Sequence, residues 1–387
     1  MKLSQDQSQA LMAIHQWWAN PDAQTFTLAG YAGTGKTSTV AALRDEWSSP
    51  VLIGAPTGKA ALRLREKGVT AHTIHHLCYS FAGKDDHGNP EFDYVGFDKG
   101  RSKNRRPDPT PPLLIVDEAS MVNNEMHRDL LSSGYRVLFV GDHGQLPPVG
   151  GDPGIMRSPD FTLSEIHRQD DEGLLAFAHA LREGTKVPDA HGAADTIWLE
   201  PGVATNEEAK QALRRSDVSI CWKNETRHRL NRSILWLRGM IDVNSRESSP
   251  AELLAMLRNN ESRWPMLVLR NDYQQGVANG EVLDVTIERI EEDVMFVSDV
   301  IDNNGNGKLR SLAVSLACFG NSPRGLDPDE GQVLADFGFC MTAHKAQGSE
   351  WPWVTVWDDT NNSMSERERW AYTAATRAQK ALTWVHR

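Results

Sequence analysis

Apolar residues at Ala10, Leu11, Ile14, Trp17 and Trp18 fall on one stripe of Leu3–Trp18, a spacing that predicts an amphipathic helix. Phe26–Ala29 reads as a short buried strand, followed by the glycine-rich stretch Gly30–Thr37 and a helix over Thr37–Trp47. Val51–Gly54, Leu113–Val116 and Val137–Val140 predict three more strands, with a helix over Gly58–Lys67. Short apolar runs that alternate with helices indicate a parallel sheet covered on both faces.

The pattern breaks between the second and third strands. Tyr79–Pro112 carries glycines, prolines, three aromatics (Phe92, Tyr94, Phe97) and a basic run, Lys99, Arg101, Lys103, Arg105 and Arg106. It reads as a small inserted hairpin. A second α/β region begins near Pro188, with a strand at Val218–Trp222 and a helix from Asn224 through Leu237. Pro265–Phe319 then alternates in period 2, with turn signals at Asn279-Gly280 and Asn303–Gly307, which predicts a small all-β insertion. The α/β pattern resumes at Gly338, with strands near Phe339–Thr342 and Val354–Trp357 and a closing helix Glu366–Gln379. The expected domains are 1–78 with 113–187, an insertion 79–112, a second domain 188–264 with 333–387, and a β insertion 265–332.

A chain of 387 residues has room for two or three such domains. No run approaches the roughly 18 apolar residues of a membrane span, and Met1–Gln9 lacks the apolar core of a signal peptide. Cys78, Cys221, Cys318 and Cys340 lie far apart, which fits reduced, buried thiols in a cytoplasmic protein better than a zinc site or disulfides. The net charge of −11 argues against a wholly basic nucleic-acid binder, so any nucleic-acid path must be lined by particular basic and aromatic groups.

Gly30-Tyr31-Ala32-Gly33-Thr34-Gly35-Lys36-Thr37 fits G-x-x-x-x-G-K-[ST]. Glycines let backbone N–H groups converge on phosphate oxygens at a helix N-terminus. Gly30, Ala32, Gly33, Thr34, Gly35, Lys36, Thr37 and Ser38 are therefore the candidate ATP cradle, with Lys36 reaching the β- and γ-phosphates and the Thr37 hydroxyl on Mg²⁺. Asp117 and Glu118 end an aliphatic strand, where Asp117 is placed to hold Mg²⁺ and Glu118 to orient the attacking water. Val140–Gly150 places Asp142 and Gln145 past the fourth strand, Gln145 as a hydrogen-bonding group for the γ-phosphate or water.

GYAGTGKTS (30–38), APTGKAALRL (55–64), TIHHL (73–77), VDEASM (116–121), GDHGQLPPV (141–149), HRQ (167–169), TAHKAQGSEW (342–351) and YTAATRA (372–378) occur in the order of a superfamily 1 helicase. The set most resembles the RecD/Dda-type branch, subclass B. The resemblance implies an α/β protein of two RecA-like P-loop domains with ATP in the cleft between them. It also implies a β-hairpin pin at 79–112 and an SH3-like domain in the β-rich insertion. Gln7 resembles the adenine-recognising Q motif, and Arg168 and Arg377 resemble the arginines that reach the γ-phosphate. Gln347 and Glu350 are expected at the same cleft.

The resemblance further implies single-stranded DNA contacts at Pro56, Thr57, Thr73, His75 and His76, and at Thr342 and His344 in the second domain. Taken singly, His75 and His76 also suit purely structural roles. Phe92, Tyr94 or Phe97 is expected either to stack on a base at the duplex junction or to form the insertion's own core. The implied activity is ATP- and Mg²⁺-dependent 5′→3′ translocation with DNA unwinding, in replication, recombination or repair. A minimal, stand-alone, monomeric and cytoplasmic motor is expected, with a single-strand-binding or replication protein as a partner and no membrane. Two alternatives stay open: an RNA or RNA–DNA helicase, and an ATP-switched binding protein that displaces other proteins without unwinding.

Overall fold

In the computed structural model the described residues are all but 1–2, 85–89, 98–112, 149–150, 166–171, 185–189, 192–193, 200–205, 260–262, 273–274, 302–307, 321–330, 362–363 and 387. The basic run 99–106 and Arg168 therefore lie outside them. The chain forms two compact units, Met1–Gly83 with Pro90–Leu175, and Ala176–Arg387.

The first unit opens with α1 (Gln5–Ala19), started by a reciprocal capping box between Ser4 and Gln7. Then follow β1 (Thr25–Gly30), α2 (Lys36–Glu46), β2 (Val51–Ala55), α3 (Gly58–Glu66), β3 (His72–Thr73) and α4 (Ile74–Cys78). A two-stranded ribbon, β4 (Tyr79–Lys84) and β5 (Pro90–Tyr94), precedes β6 (Leu113–Val116), α5 (Asn124–Ser132), β7 (Arg136–Gly141) and β8 (Phe161–Leu163). The main sheet has the order β3-β2-β6-β7-β1-β8, with every pairing parallel. All four residues of β6 are buried, which is why that strand carries only aliphatic side chains. Arg136 fixes α1 against the start of β7: its guanidinium lies 4.6 Å from the Trp17 ring and donates to the Trp17 and Trp18 carbonyls at 2.6 Å. Because the strands are parallel, the residues after β1, β2, β3, β6 and β7 gather along one edge of the sheet. In open α/β sheets this edge is where ligands bind.

α6 (Glu172–Arg182) crosses into the second unit, which continues through β9 (Ala190–His191), β10 (Ala194–Trp198), α7 (Glu207–Arg215), β11 (Val218–Cys221), α8 (Asn224–Leu237) and α9 (Pro250–Asn259). Next come β12 (Trp264–Val268), β13 (Val282–Glu291), β14 (Val294–Ile301), β15 (Lys308–Ser315) and β16 (Gln332–Phe337), which close into a barrel. The chain ends with β17 (Cys340–Thr342), α10 (Ala343–Ala346), β18 (Trp351–Asp358), α11 (Arg367–Ala375) and β19 (Ala378–His386). The sheet order is β17-β11-β18-β19-β10-β9, parallel except for the β9–β10 pair. Barrel residues such as Trp264, Val285 and Val314 share one hydrophobic core with Leu230, Trp357 and Val385 of the α/β part. The architecture is thus two RecA-like α/β cores, the second carrying a small SH3-like barrel.

Three boundaries differ from the sequence reading. The closing helix stops at Ala375, not Gln379, because Ala378–His386 is drawn into the middle of the second sheet, between β18 and β10. The barrel extends to Phe337 rather than ending by 332, since β16 pairs with both β12 and β15 to close it. The division between units falls after Leu175 rather than at 187, so most of α6 packs with the second unit, where Phe177 meets Trp384.

Candidate functional site

The first unit's site starts where β1 runs out at Gly30. A Cβ on Gly30 would lie 2.5 Å from Thr34 Oγ1, so only glycine lets the loop fold back this tightly. Gly33 and Gly35 adopt φ of 84° and 79°. Gly35 caps α2 without any side-chain bond, which leaves the helix's first amides directed at a ligand. Thr34 Oγ1 donates to the Tyr31 carbonyl at 2.9 Å, and Lys36 Nζ reaches the carbonyls of Gly30 at 2.7 Å and Tyr31 at 2.9 Å. Ala32, Thr37 and Ser38 are part-exposed along the same loop and first helical turn. Gln7, buried, braces this loop from α1: its Oε1 accepts from Ser4 N at 3.0 Å and its Nε2 donates to Gly35 O at 3.4 Å.

Parallel register brings the acids alongside. Asp117 follows β6 and its N–H donates to Gly54 O at 2.9 Å. Burial, and then the neighbouring Glu118, push the Asp117 carboxyl up to about 6, while Lys36 and Arg63 pull the other way. Glu118 holds a left-handed backbone (φ 54°, ψ 41°), unusual for a residue with a Cβ. After β7, the fully buried Asp142 accepts from Gly144 N at 2.9 Å and from Gln145 Nε2 at 3.3 Å. Glu118 Oε2 and Gln145 Oε1 are both buried with no hydrogen-bond partner among the described residues. The two acceptors follow β6 and β7, neighbouring strands of one sheet, and each is left for a donor from outside the described residues.

The donor set also fits Mg²⁺. Thr37 and Asp117 offer hard oxygens, and no group of three or more His, Cys, Asp or Glu among the described residues forms a cage of its own. Mg²⁺ commonly takes only one or two carboxylates and completes its shell with water and phosphate.

The other first-unit residues line the same edge. Thr57 caps α3, accepting from Ala60 N at 3.2 Å, and Thr73 caps α4, accepting from His76 N at 3.1 Å. Pro56, just before Thr57, is part-exposed. His76 stacks on His72 at 4.9 Å, whereas His75 is wedged between Tyr79 (4.9 Å) and Phe92 (5.1 Å). The ribbon's rings form a ladder, with Tyr79 beside Tyr94 at 5.6 Å and Phe81 beside Phe92 at 6.1 Å, while Phe97 packs on Tyr135 at 4.7 Å. Phe92, Tyr94 and Phe97 all lie against the first unit's core. The ring left open is Phe81, 64% exposed, which the sequence reading passed over.

In the second unit, Thr342 is buried at the start of α10, and His344 lies 5.7 Å from Trp222, with burial holding its imidazole below the usual range. Gln347 is buried, and Glu350 Oε2 accepts from Gln379 Nε2 at 3.2 Å. Arg377, 2% exposed, donates to Thr373 O at 2.9 Å, Ser349 O at 3.2 Å and Thr376 Oγ1 at 3.0 Å.

Similarity to known proteins agrees with this arrangement. The AAA domain family matches residues 2–199, just over half of the 387, and the UvrD-like helicase C-terminal domain matches 337–385. The chain is 28% identical over 382 residues to the ATP-dependent RecD2 DNA helicase of Deinococcus radiodurans, covering 91% of this chain and 45% of that protein. It is 26% identical over 415 residues to the RecBCD enzyme subunit RecD of Mycolicibacterium smegmatis, covering 92% and 67%. The chain thus spans about half the length of the RecD2 relative. Among solved structures, the Pif1 helicase from Bacteroides in complex with ADP-AlF3 and ssDNA shares the fold, with a TM-score of 0.53, 17% identity and coverage of 99% and 92%. Over its first half the chain belongs to the AAA domain family, and with its UvrD-like helicase C-terminal segment it groups with the superfamily 1B helicases of the RecD type.

Proposed function

We propose that the protein is an ATP-dependent DNA helicase that moves 5′→3′ on single-stranded DNA and opens duplexes at a junction. The observation that carries this is the edge formed by Lys36, Asp117, Glu118 and Gln145, a phosphate cradle beside two unsatisfied buried acceptors. ATP is the assigned nucleotide and Mg²⁺ the assigned metal, held by Thr37 and Asp117, and together they supply the phosphoryl bond and neutralise its developing charge. Lys36 exchanges its two carbonyl partners for phosphate oxygens. Glu118 and Gln145 orient the attacking water. Arg168 and Arg377 are the cations assigned to the γ-phosphate. Gln7 holds the loop in shape beside the adenine, and Gln347 and Glu350 complete the assignment around the nucleotide.

Pro56, Thr57, Thr73 and His76, with Thr342 and His344, are assigned to the DNA backbone. Thr57 and Thr73 accept capping bonds with their hydroxyl oxygens and keep their protons for a phosphate. At the junction we assign Phe81 rather than Phe92, Tyr94 or Phe97, because an exposed ring can stack on a base without unpacking the core. DNA fork partners, a monomeric state and a cytoplasmic site of action complete the proposal. The RecD2 DNA helicase relative is the reason to favour DNA over RNA as the track.

The direct test is ATP turnover with and without single-stranded DNA. Turnover should rise strongly with DNA and be lost in Lys36→Ala and Arg377→Ala. An ATPase of equal rate without DNA would refute the motor.

A further inference from the structure

α10 is one turn long, and its cap residue Thr342 makes no side-chain capping bond. A single turn does not hold its own shape, so tertiary contacts must set the pose of the segment Thr342–Gln347. Ala343 and Ala346 face the core. Between them, Lys345 turns toward the barrel. Its ammonium donates to Asn279 Oδ1 and lies 3.5 Å from Leu269 O. Its own carbonyl abuts Gly280, where a Cβ would sit 3.4 Å away and where φ is +84°.

The turn that Lys345 grips is stiff. Gly280 N donates to Val268 O at 2.8 Å and Glu281 N to Ala278 O at 3.0 Å. Asn279 N donates to Asn271 Oδ1 at 2.7 Å and Ala278 N to Glu281 Oε2 at 2.8 Å. The barrel behind it is in turn fixed to the α/β part by the shared core and by a buried ion pair, Arg227 Nη1 to Asp336 Oδ2 at 2.9 Å, linking α8 to β16. Lys345 takes oxygen acceptors from neutral groups here, and burial together with the Arg227 charge lowers its pKa to about 8. A lysine held this way defines geometry more than it pairs charge.

We propose that Lys345 is a positioning residue that anchors the Thr342–Gln347 segment to the β12–β13 turn, so that the barrel sets the pose of Thr342, His344 and Gln347. The consequence for the motor rests on the DNA and nucleotide roles proposed above for those three side chains. The anchor itself does not.

The test is a double-mutant cycle with Lys345→Met, Asn279→Ala and the pair, read by amide hydrogen exchange across 342–347 and by DNA-stimulated ATP turnover. Each single change should speed exchange in the segment by about tenfold, as expected for losing a hydrogen bond to a charged donor. The pair should be no worse than either single change, and Lys345→Arg should keep the protection. DNA stimulation should fall in parallel. Additive effects, or unchanged exchange at 342–347, would overturn the anchor. A loss in Lys345→Met that Asn279→Ala does not reproduce would overturn it in favour of a direct DNA contact by the lysine. If the wild type shows no DNA stimulation, the functional reading fails, and the exchange cycle still decides the anchor.

Discussion

Glu118 combines two costs in one residue: a left-handed backbone and a buried carboxylate oxygen without a partner. A strained conformation of this kind costs on the order of 1–3 kcal/mol and persists where surrounding structure over-determines it. Glu118→Gly should therefore raise the melting temperature while abolishing turnover, a pairing that thermal unfolding and an ATPase assay check together. Glu118→Gln should keep nucleotide binding and lose about 10²–10⁴-fold in turnover, the usual range for removing a general base. Lys345 yields a pH signature. Its pKa in the fold is about 8, below the ordinary 10.5, so between those values the unfolded chain binds more protons than the folded one. Stability must then rise as pH rises through that window. Denaturant titrations at both ends of it should show that rise in the wild type relative to Lys345→Met; parallel curves would contradict the burial of the ammonium.

The ribbon β4–β5 shows how one element divides its rings between support and chemistry. Tyr94 and Phe92 lean on the core cluster, whereas Phe81 meets the edge of Phe92 and stays 64% exposed. Phe92→Ala should destabilise the first unit by about 1–3 kcal/mol, as expected for truncating a part-buried ring. Phe81→Ala should leave stability nearly unchanged and depress strand separation more than ATP turnover. The strands β1, β2, β6 and β7 were legible because buried parallel strands are mostly apolar and these end on motif residues, and β11 because Val218–Cys221 is a short, mostly apolar run before a helix. It did not reveal β8, β10 or β19. The three-residue β8 has no pattern to read, and Ala378–His386 begins with Ala, Gln and Lys that mimic a helix end. The P-loop and acid pair were readable because their chemistry dictates residue order. Phe81 and Lys345 were not, since exposure and a long-range hydrogen bond to Asn279 exist only after folding.

At the scale of the whole molecule, two α/β cores of the same kind carry different attachments, an aromatic ribbon on the first and a closed barrel on the second. The barrel shares its core with its host sheet, and Arg227–Asp336 crosses that junction with both side chains almost fully buried. Removing one partner of such a pair typically costs about 3–5 kcal/mol, so Asp336→Ala should unfold the second unit at markedly lower denaturant. A barrel fixed this firmly moves with its sheet. In the proposed motor, the barrel, its host sheet and the Thr342–Gln347 segment would act as one body within the second unit. The most direct measurement of that motor is strand separation on duplexes bearing a single-stranded tail at either end, with ATP and Mg²⁺. A 5′-tailed duplex should be unwound by the wild type and by neither Lys36→Ala nor the wild type without ATP, while a 3′-tailed duplex stays paired. Failure to unwind the 5′-tailed duplex, or unwinding of the 3′-tailed one alone, would contradict the proposed motor.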